Sequence, residues 1–236
     1  MNLLLLTAED CIEPGLARLD GRRLQHVLEV HRAREGESLR VGLVGGLMGE
    51  GRILSLSRDE LLLRFELDAN PPPKIPLTLL LSLPRPKMLK RILQSVAAMG
   101  VQRLVLMNSY RVEKSFWTSP WLAPEALREQ LLLGLEQARD TVLPDVIIEP
   151  LFKPFVEDRL PELVRNTRAL VAHPGAIDAC PVALNQPLTL AIGPEGGFIP
   201  YEVEKLAEAG FQPVHLGTRI LRVETAVTAL TARLFV

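Results

Sequence analysis

The chain has almost no cysteine, and that scarcity closes off several functions at once. Cys11 and Cys180 are its two thiols, too few for a disulfide framework or a thiolate metal cluster. Both read as small core or loop residues of a protein in a reducing cytosol. His26, His31, His173 and His215 stand at no metal-ligand spacing with carboxylates or thiols, so no metal is expected. Long apolar runs are missing too. Leu3–Leu6 is far too short for a membrane span and lacks the basic flank and small-residue cleavage site of a secretion signal. A cytoplasmic protein without membrane contact is the expectation. There is no G-x-x-x-x-G-K-S/T phosphate loop, no G-x-G-x-x-G after the first strand of the second half, and no G-x-S-x-G elbow. A formal net charge of −1 argues against a protein coated in basic surface.

What is present has a clear division. At 236 residues and 47% hydrophobic content, the chain can form one large domain or two smaller ones. The stiff run Asn70-Pro71-Pro72-Pro73 reads as a linker, which divides the chain into domains at 1–70 and 74–236. Before it, Leu3–Leu6, Ser38–Val44, Glu50–Leu56 and Glu60–Glu66 alternate or run apolar between turns. They predict a small antiparallel barrel with one short helix around Gly21–Glu29. After it, Leu77–Leu83, Arg103–Met107, Asp145–Glu149, Arg168–Ala172, Leu188–Ile192 and Pro213–Leu216 read as strands. Helical patterns lie near Lys87–Met99, Pro124–Arg139, Val156–Asn166 and Pro200–Ala209, with a last one at Thr225–Phe235. This alternation predicts an α/β domain with a parallel sheet covered by helices.

Two segments carry the chemistry. Gly193-Pro194-Glu195-Gly196-Gly197 follows the strand Leu188–Ile192, and Leu216-Gly217-Thr218-Arg219-Ile220-Leu221-Arg222-Val223-Glu224-Thr225 follows Pro213–Leu216. Each leads into a helix. A strand, a tight polar loop and a helix place ligands at the carboxyl ends of a sheet, and glycines there let the backbone approach a ligand closely. Either loop alone could be a mere turn, but a turn does not need the Arg-Val-Glu-Thr cluster. A third loop, His173-Pro174-Gly175, ends the strand Arg168–Ala172.

Charge is unevenly spread. From Leu81 to Ser115, Arg85, Lys87, Lys90, Arg91, Arg103, Arg111 and Lys114 face Glu113 alone, a formal charge of +6. On the helix Lys87–Met99, Leu89, Ile92, Leu93, Val96 and Met99 take the core positions. Lys87, Lys90, Arg91 and Gln94 then share the outer face. A solvated face is the bland reading; a stripe of one sign fits a phosphate backbone.

The two signature loops, in this order and at this spacing, resemble those of the RsmE family, bacterial 16S ribosomal RNA uridine-N3 methyltransferases of the SPOUT superfamily. Val30-His31-Arg32-Ala33-Arg34-Glu35-Gly36-Glu37 resembles a segment of that family's small PUA-like N-terminal barrel. The resemblance implies a C-terminal SPOUT domain with a deep trefoil knot, S-adenosyl-L-methionine (SAM) in the knot, and a homodimer. The chain departs from the family at Ser95 and Ala98, where Lys and Glu are usual. It departs again at Glu136-Gln137-Ala138-Arg139-Asp140 and at Val44-Gly45-Gly46, which replaces an Asp-Gly turn.

On this reading SAM is held by His173, Pro174, Gly175, Ile192, Gly193, Pro194, Glu195, Gly196, Gly197, Leu216, Gly217, Ile220, Leu221 and Thr225. Ile192, Leu216 and Leu221 would sandwich the adenine ring. Ribosomal RNA, as such or in the small subunit, would lie across both domains against Arg32, Arg34, Arg85, Lys87, Lys90, Arg91, Arg111 and Lys114. Arg222 is expected to stabilise negative charge on the base, and Glu224 to accept its proton, unless the two only pair with each other. The small side chains Thr225, Ala226, Thr228, Ala229 and Ala232 would bring the last helix to a dimer interface. A ribose 2′-O-methyltransferase and a non-catalytic RNA-binding assembly module are the competing functions.

Overall fold

Asn70–Pro73 carries no regular structure, and in the computed structural model, which describes residues 2–235, it separates two sheets. The chain divides into two units, residues up to 73 with 132–143, and 74–131 with 144 onward.

The first unit is a mixed sheet. It contains β1 (Leu4–Leu6), β2 (Cys11–Glu13), β3 (Leu16–Leu19), β4 (Ser38–Leu43), β5 (Met48–Leu56) and β6 (Leu61–Ala69), in the order β1-β4-β5-β6-β3-β2. Helix α1 (Gly21–His26) runs on into a π-helical turn, Val27–His31. The wholly antiparallel pairing expected from sequence is corrected at one edge, where β1 pairs β4 in parallel, Leu4 opposite Val41. The β2–β3 hairpin and α1 intervene and return the chain so that both strands run the same way. Leu4, Leu6, Leu19, Leu24, Ile53, Leu61 and Leu63 form the core. Residues 132–143 join this unit through specific polar contacts. The N–H groups of Asn2 and Leu3 donate to the Glu136 carbonyl at 3.0 and 3.1 Å. The Arg22 guanidinium grips both Glu136 carboxylate oxygens at 2.9 and 2.7 Å.

The second unit is a parallel sheet. Its strands are β7 (Ile75–Ser82), β8 (Val101–Met107), β9 (Asp145–Glu149), β10 (Arg168–Ala172), β11 (Leu188–Ile192) and β12 (Gln212–Val214), in the order β12-β10-β11-β7-β8-β9. Every neighbouring pair is parallel. The central strands β7 and β11 are almost wholly apolar, as strands covered on both faces must be. The helices are α2 (Pro86–Ala98), α3 (Pro124–Ala138, of which residues from 132 on belong to the first unit), α4 (Phe152–Pro154), α5 (Leu160–Leu163), α6 (Pro200–Glu208) and α7 (Val223–Phe235). On α2, Leu89, Ile92, Leu93 and Val96 are buried, each contributing about 2 kcal/mol of apolar burial. The single helix expected over Val156–Asn166 is instead α4, a π-helical turn over Phe155–Arg159, and α5. Pro161 has no N–H for the ladder, so it sits in the first turn of α5. Sheet order grows outward from β7 to β8 and β9, then the later strands add on the other side, beginning with β11 beside β7. A reversal of this kind opens a crevice at the carboxyl ends of the strands.

Candidate functional site

The carboxyl ends of β10, β11 and β12 run into three loops that close around one cavity of about 390 Å³. His173, Pro174 and Gly175 come from the first, Gly193 to Gly197 from the second, and His215 to Gly217 with Arg219, Ile220 and Leu221 from the third. Ile192 lies at its wall. Of the cofactor residues expected from sequence, all line this cavity except Thr225, which is exposed one turn into α7.

Backbone geometry shapes each loop. Gly197 N–H donates to the Pro194 carbonyl at 2.7 Å, closing a turn in which Gly197 takes φ +72°. A Cβ on Gly193 would stand 3.0 Å from the Phe198 nitrogen and 3.1 Å from its ring, so that loop can fold tightly only without a side chain. The first and third loops share one device. His173 Nδ1 accepts the Gly175 N–H at 3.1 Å, and His215 Nδ1 accepts the Gly217 N–H at 2.9 Å. The two strands are tied side by side, His173 N–H donating to the Val214 carbonyl at 3.0 Å.

Several lining residues escaped the sequence reading. Phe198, Val214, Val223, Ala226 and Leu230 form apolar wall; Ala226, expected at a dimer interface, lines this cavity. His215 read as structural, although His-Leu-Gly repeats the His-Pro-Gly pattern of the first loop. Arg111, taken for an RNA contact, lines the cavity, and its guanidinium donates to the Gly196 carbonyl. Behind the lip, the buried Glu202 carboxylate accepts the Tyr110 N–H at 2.6 Å and the Ile199 N–H at 3.0 Å. It ties the loop after β8 to the start of α6. Arg85 and Glu195 form an exposed pair at 3.8 Å, an interaction worth little in stability.

The two residues expected to do chemistry, Arg222 and Glu224, flank the cavity-lining Val223 in sequence. Arg222 follows Leu221 and is exposed; its carbonyl accepts the Ala226 N–H at 2.8 Å, while its guanidinium has no hydrogen-bond or ion-pair partner among the described residues. Glu224 is half-buried in the first turn of α7. Neither lines the cavity, and they do not pair with each other. Burial pushes the Cys180 thiol up, so it supplies no thiolate nucleophile. No group of residues suited to a metal ion occurs among those described.

The basic residues separate into two kinds. Lys87, Arg91 and Lys114 are exposed and without ion-pair partners among the described residues. Lys90 lies over the Trp121 ring, its Nζ 3.4 Å from the centroid, and Gln94 donates to Gln130 at 2.8 Å. In the first unit Arg32, at φ 50°, and Arg34 are exposed.

Comparison with known proteins places this arrangement. The family model for the RNA methyltransferase domain matches residues 70–235. The chain is 30% identical to the ribosomal RNA small subunit methyltransferase E of Treponema pallidum, over 98% of this chain and 90% of that protein. It is 24% identical to ribosomal RNA small subunit methyltransferase E 1 of Borreliella burgdorferi, over 97% and 95%. The fold is similar to the solved structure of ribosomal RNA small subunit methyltransferase E from Neisseria gonorrhoeae bound to S-adenosyl methionine, with a TM-score of 0.75 at 23% identity over 98% and 95% of the two chains. The chain belongs to the RsmE family of SPOUT RNA methyltransferases.

Proposed function

We propose that this protein transfers a methyl group from SAM to N3 of a uridine in 16S ribosomal RNA of the small subunit. The observation that carries the reading is the convergence of three glycine-bearing strand ends on one cavity. The residues present fit SAM. A volume of about 390 Å³ falls in the range of small-molecule sites, which combine apolar walls with a few polar groups. Ile192, Phe198 and Leu230 provide the walls, and the loops provide main-chain donors and acceptors. Bound SAM would supply a methyl group activated by its sulfonium.

The chain's own tasks are then positioning, proton removal and charge stabilisation. Uridine N3 carries a proton, and its loss spreads negative charge onto the flanking carbonyl oxygens. Arg222 lies between the cavity-lining Leu221 and Val223, its guanidinium without a partner among the described residues, and in this reading it meets that charge with donors in fixed geometry. Glu224 is the proton acceptor in this reading. Lys87, Arg91 and Lys114 in the second unit and Arg32 and Arg34 in the first hold RNA phosphates, which gives affinity rather than sequence choice. The protein acts as a homodimer. One face of α7 is buried through Val223, Val227, Leu230 and Leu234, leaving Thr225, Thr228, Ala229 and Ala232 on the other. A knot in the second unit is part of the proposal and rests on membership of the family. No helix of the described residues is long and apolar enough to cross a membrane.

The test is transfer of tritiated methyl from SAM to 16S RNA isolated from a strain lacking its own enzyme of this family, with nucleoside analysis of the product. Appearance of N3-methyluridine is the expected result. No transfer to free RNA or to assembled subunits refutes the reading.

A further inference from the structure

The chain has two tyrosines, and a hydrogen bond joins the segments that carry them. Tyr110 lies in the loop after β8 and Tyr201 in the first turn of α6, far apart in sequence. The Tyr110 N–H donates to Glu202, the residue that follows Tyr201. Tyr110 is 78% exposed and Tyr201 42%. Arg111, next to Tyr110, lines the cofactor cavity and donates to Gly196 on its lip.

The Tyr110 turn is held on all sides while its ring is left in water. Val112 N–H donates to the Ser109 carbonyl at 3.0 Å, and Val112 is buried. Asn108 N–H donates to the Glu149 carbonyl at 2.9 Å, and its side-chain oxygen accepts the Trp117 indole N–H at 3.0 Å. Buried Glu202 fixes the fourth point. An aromatic ring presented on an anchored turn is already ordered for a partner, so binding loses little further chain entropy.

The position selects the partner's chemistry. Uridine N3 lies on the Watson–Crick edge, so the base must leave its stack and pair before a methyl group can reach it. An extruded pyrimidine loses its stacking neighbours, and proteins replace them with aromatic faces or guanidinium planes. We propose that Tyr110 is the stacking platform for the target base, with Tyr201 bordering the same seat. Lys114, in the same loop, holds an adjoining phosphate. This assignment rests on the functional reading above.

The experiment compares wild type, Tyr110→Ala, Tyr110→Phe and Tyr201→Ala in single-turnover methyl transfer from saturating SAM to 16S RNA from the enzyme-deficient strain. SAM affinity is measured by calorimetry, and oligomeric state by light scattering. Tyr110→Ala should lower the rate at subsaturating RNA by about tenfold to a hundredfold, the span of base–aromatic stacking. Tyr110→Phe should stay within about threefold of wild type, and Tyr201→Ala should fall between the two. SAM affinity and oligomeric state should not change. A normal rate in Tyr110→Ala overturns the platform. A parallel loss of SAM affinity overturns it as well, because the residue then acts through the Gly196 loop. A change of oligomeric state on Tyr110→Ala overturns it in favour of a contact between copies of the chain. If wild type itself transfers nothing, the functional reading fails and this inference with it; a failure of the platform alone shows an active wild type.

Discussion

Glycine does different work in the two units, and arginine different work according to its partner. In the first, glycines sit inside strands where no side chain fits: a Cβ on Gly49 would lie 1.9 Å from the Glu66 carbonyl oxygen, and one on Gly51 2.8 Å from Val41. In the second, Gly193, Gly196, Gly197 and Gly217 stand past strand ends, around a cavity. The basic residues divide by partner inside each unit, since Arg32 and Arg34 stay exposed in the first while Arg103 pairs with Asp145 and Arg159 with Glu149 in the second. Arg23 grips Asp10 at 2.6 and 2.7 Å, and Arg22 grips Glu136, so their charge is spent inside the fold. Arg222, Arg91 and Lys87 have no such partner among the described residues. A cation matched to a carboxylate holds a structure together; an exposed cation left unmatched is available to an anion from outside.

Four experiments press on that contrast. The largest effect is expected at Arg222. Arg222→Ala should slow single-turnover methylation by about a hundredfold to a thousandfold, the usual loss for one charge-stabilising donor, with SAM and RNA affinities kept. A normal rate would remove Arg222 from the mechanism and erase the distinction between matched and unmatched arginines.

A glycine pair comes next. Gly49→Ala should destabilise the protein by about 3 kcal/mol in urea unfolding, because the new methyl meets backbone that cannot yield, while folded protein keeps its SAM affinity. Gly193→Val should do the reverse. Its side chain pushes on Phe198 and distorts the loop, lowering SAM affinity by about tenfold with a smaller stability change. If both variants lose stability alone, the second-unit glycines are also only packing glycines.

The basic stripe gives a smaller effect. Reversing charge at Lys87, Lys90 and Arg91 together should weaken RNA binding and reduce the slope of log affinity against log salt by about 2 to 3 if each meets a phosphate. SAM binding should be untouched, and unchanged RNA affinity would make the stripe a solvated face.

The smallest effect is a pH dependence in the first unit. Burial alone would raise the Asp10 carboxyl, but hydrogen bonds from Arg23 and Thr7, with the Arg23 charge, together hold it below its usual 3.8. A lowered folded value means stability that is present above the unfolded pKa and lost as pH falls through the folded one. Wild type should exceed Asp10→Asn in urea stability at pH 7, and the gap should close below about pH 4. A gap that persists at low pH would show that the pair acts through packing rather than charge.

Sequence patterns read the two units unequally for physical reasons. The strands Asp145–Glu149, Arg168–Ala172 and Leu188–Ile192 match their expected bounds residue for residue, because turn residues bracket these short, largely apolar runs of the parallel sheet. The hairpin Cys11–Glu13 and Leu16–Leu19 was not anticipated. Strands of three and four residues around a turn are too short to show a period, and their pairing depends on β6, which is distant in sequence. Within the site, the loops were legible through their glycines. The wall from α7 was not, since Val223, Ala226 and Leu230 face a cavity and the core from one helix, and a 3.6-residue period cannot tell these apart. Arg111 was read by its charge alone, and only the fold shows that it reaches the Gly196 carbonyl.

The twin histidine caps have a spectroscopic consequence. A backbone N–H can only donate, so the ring nitrogens facing Gly175 and Gly217 must be unprotonated, and each neutral imidazole carries its proton on Nε2. His173 and His215 are therefore locked in the same tautomer by the loops they close. Nitrogen-15 labelled imidazole would report that tautomer directly, one resonance pair for each loop. Opening of either loop would register as tautomer mixing at its own histidine, without a ligand, a dye or a substitution in the cavity.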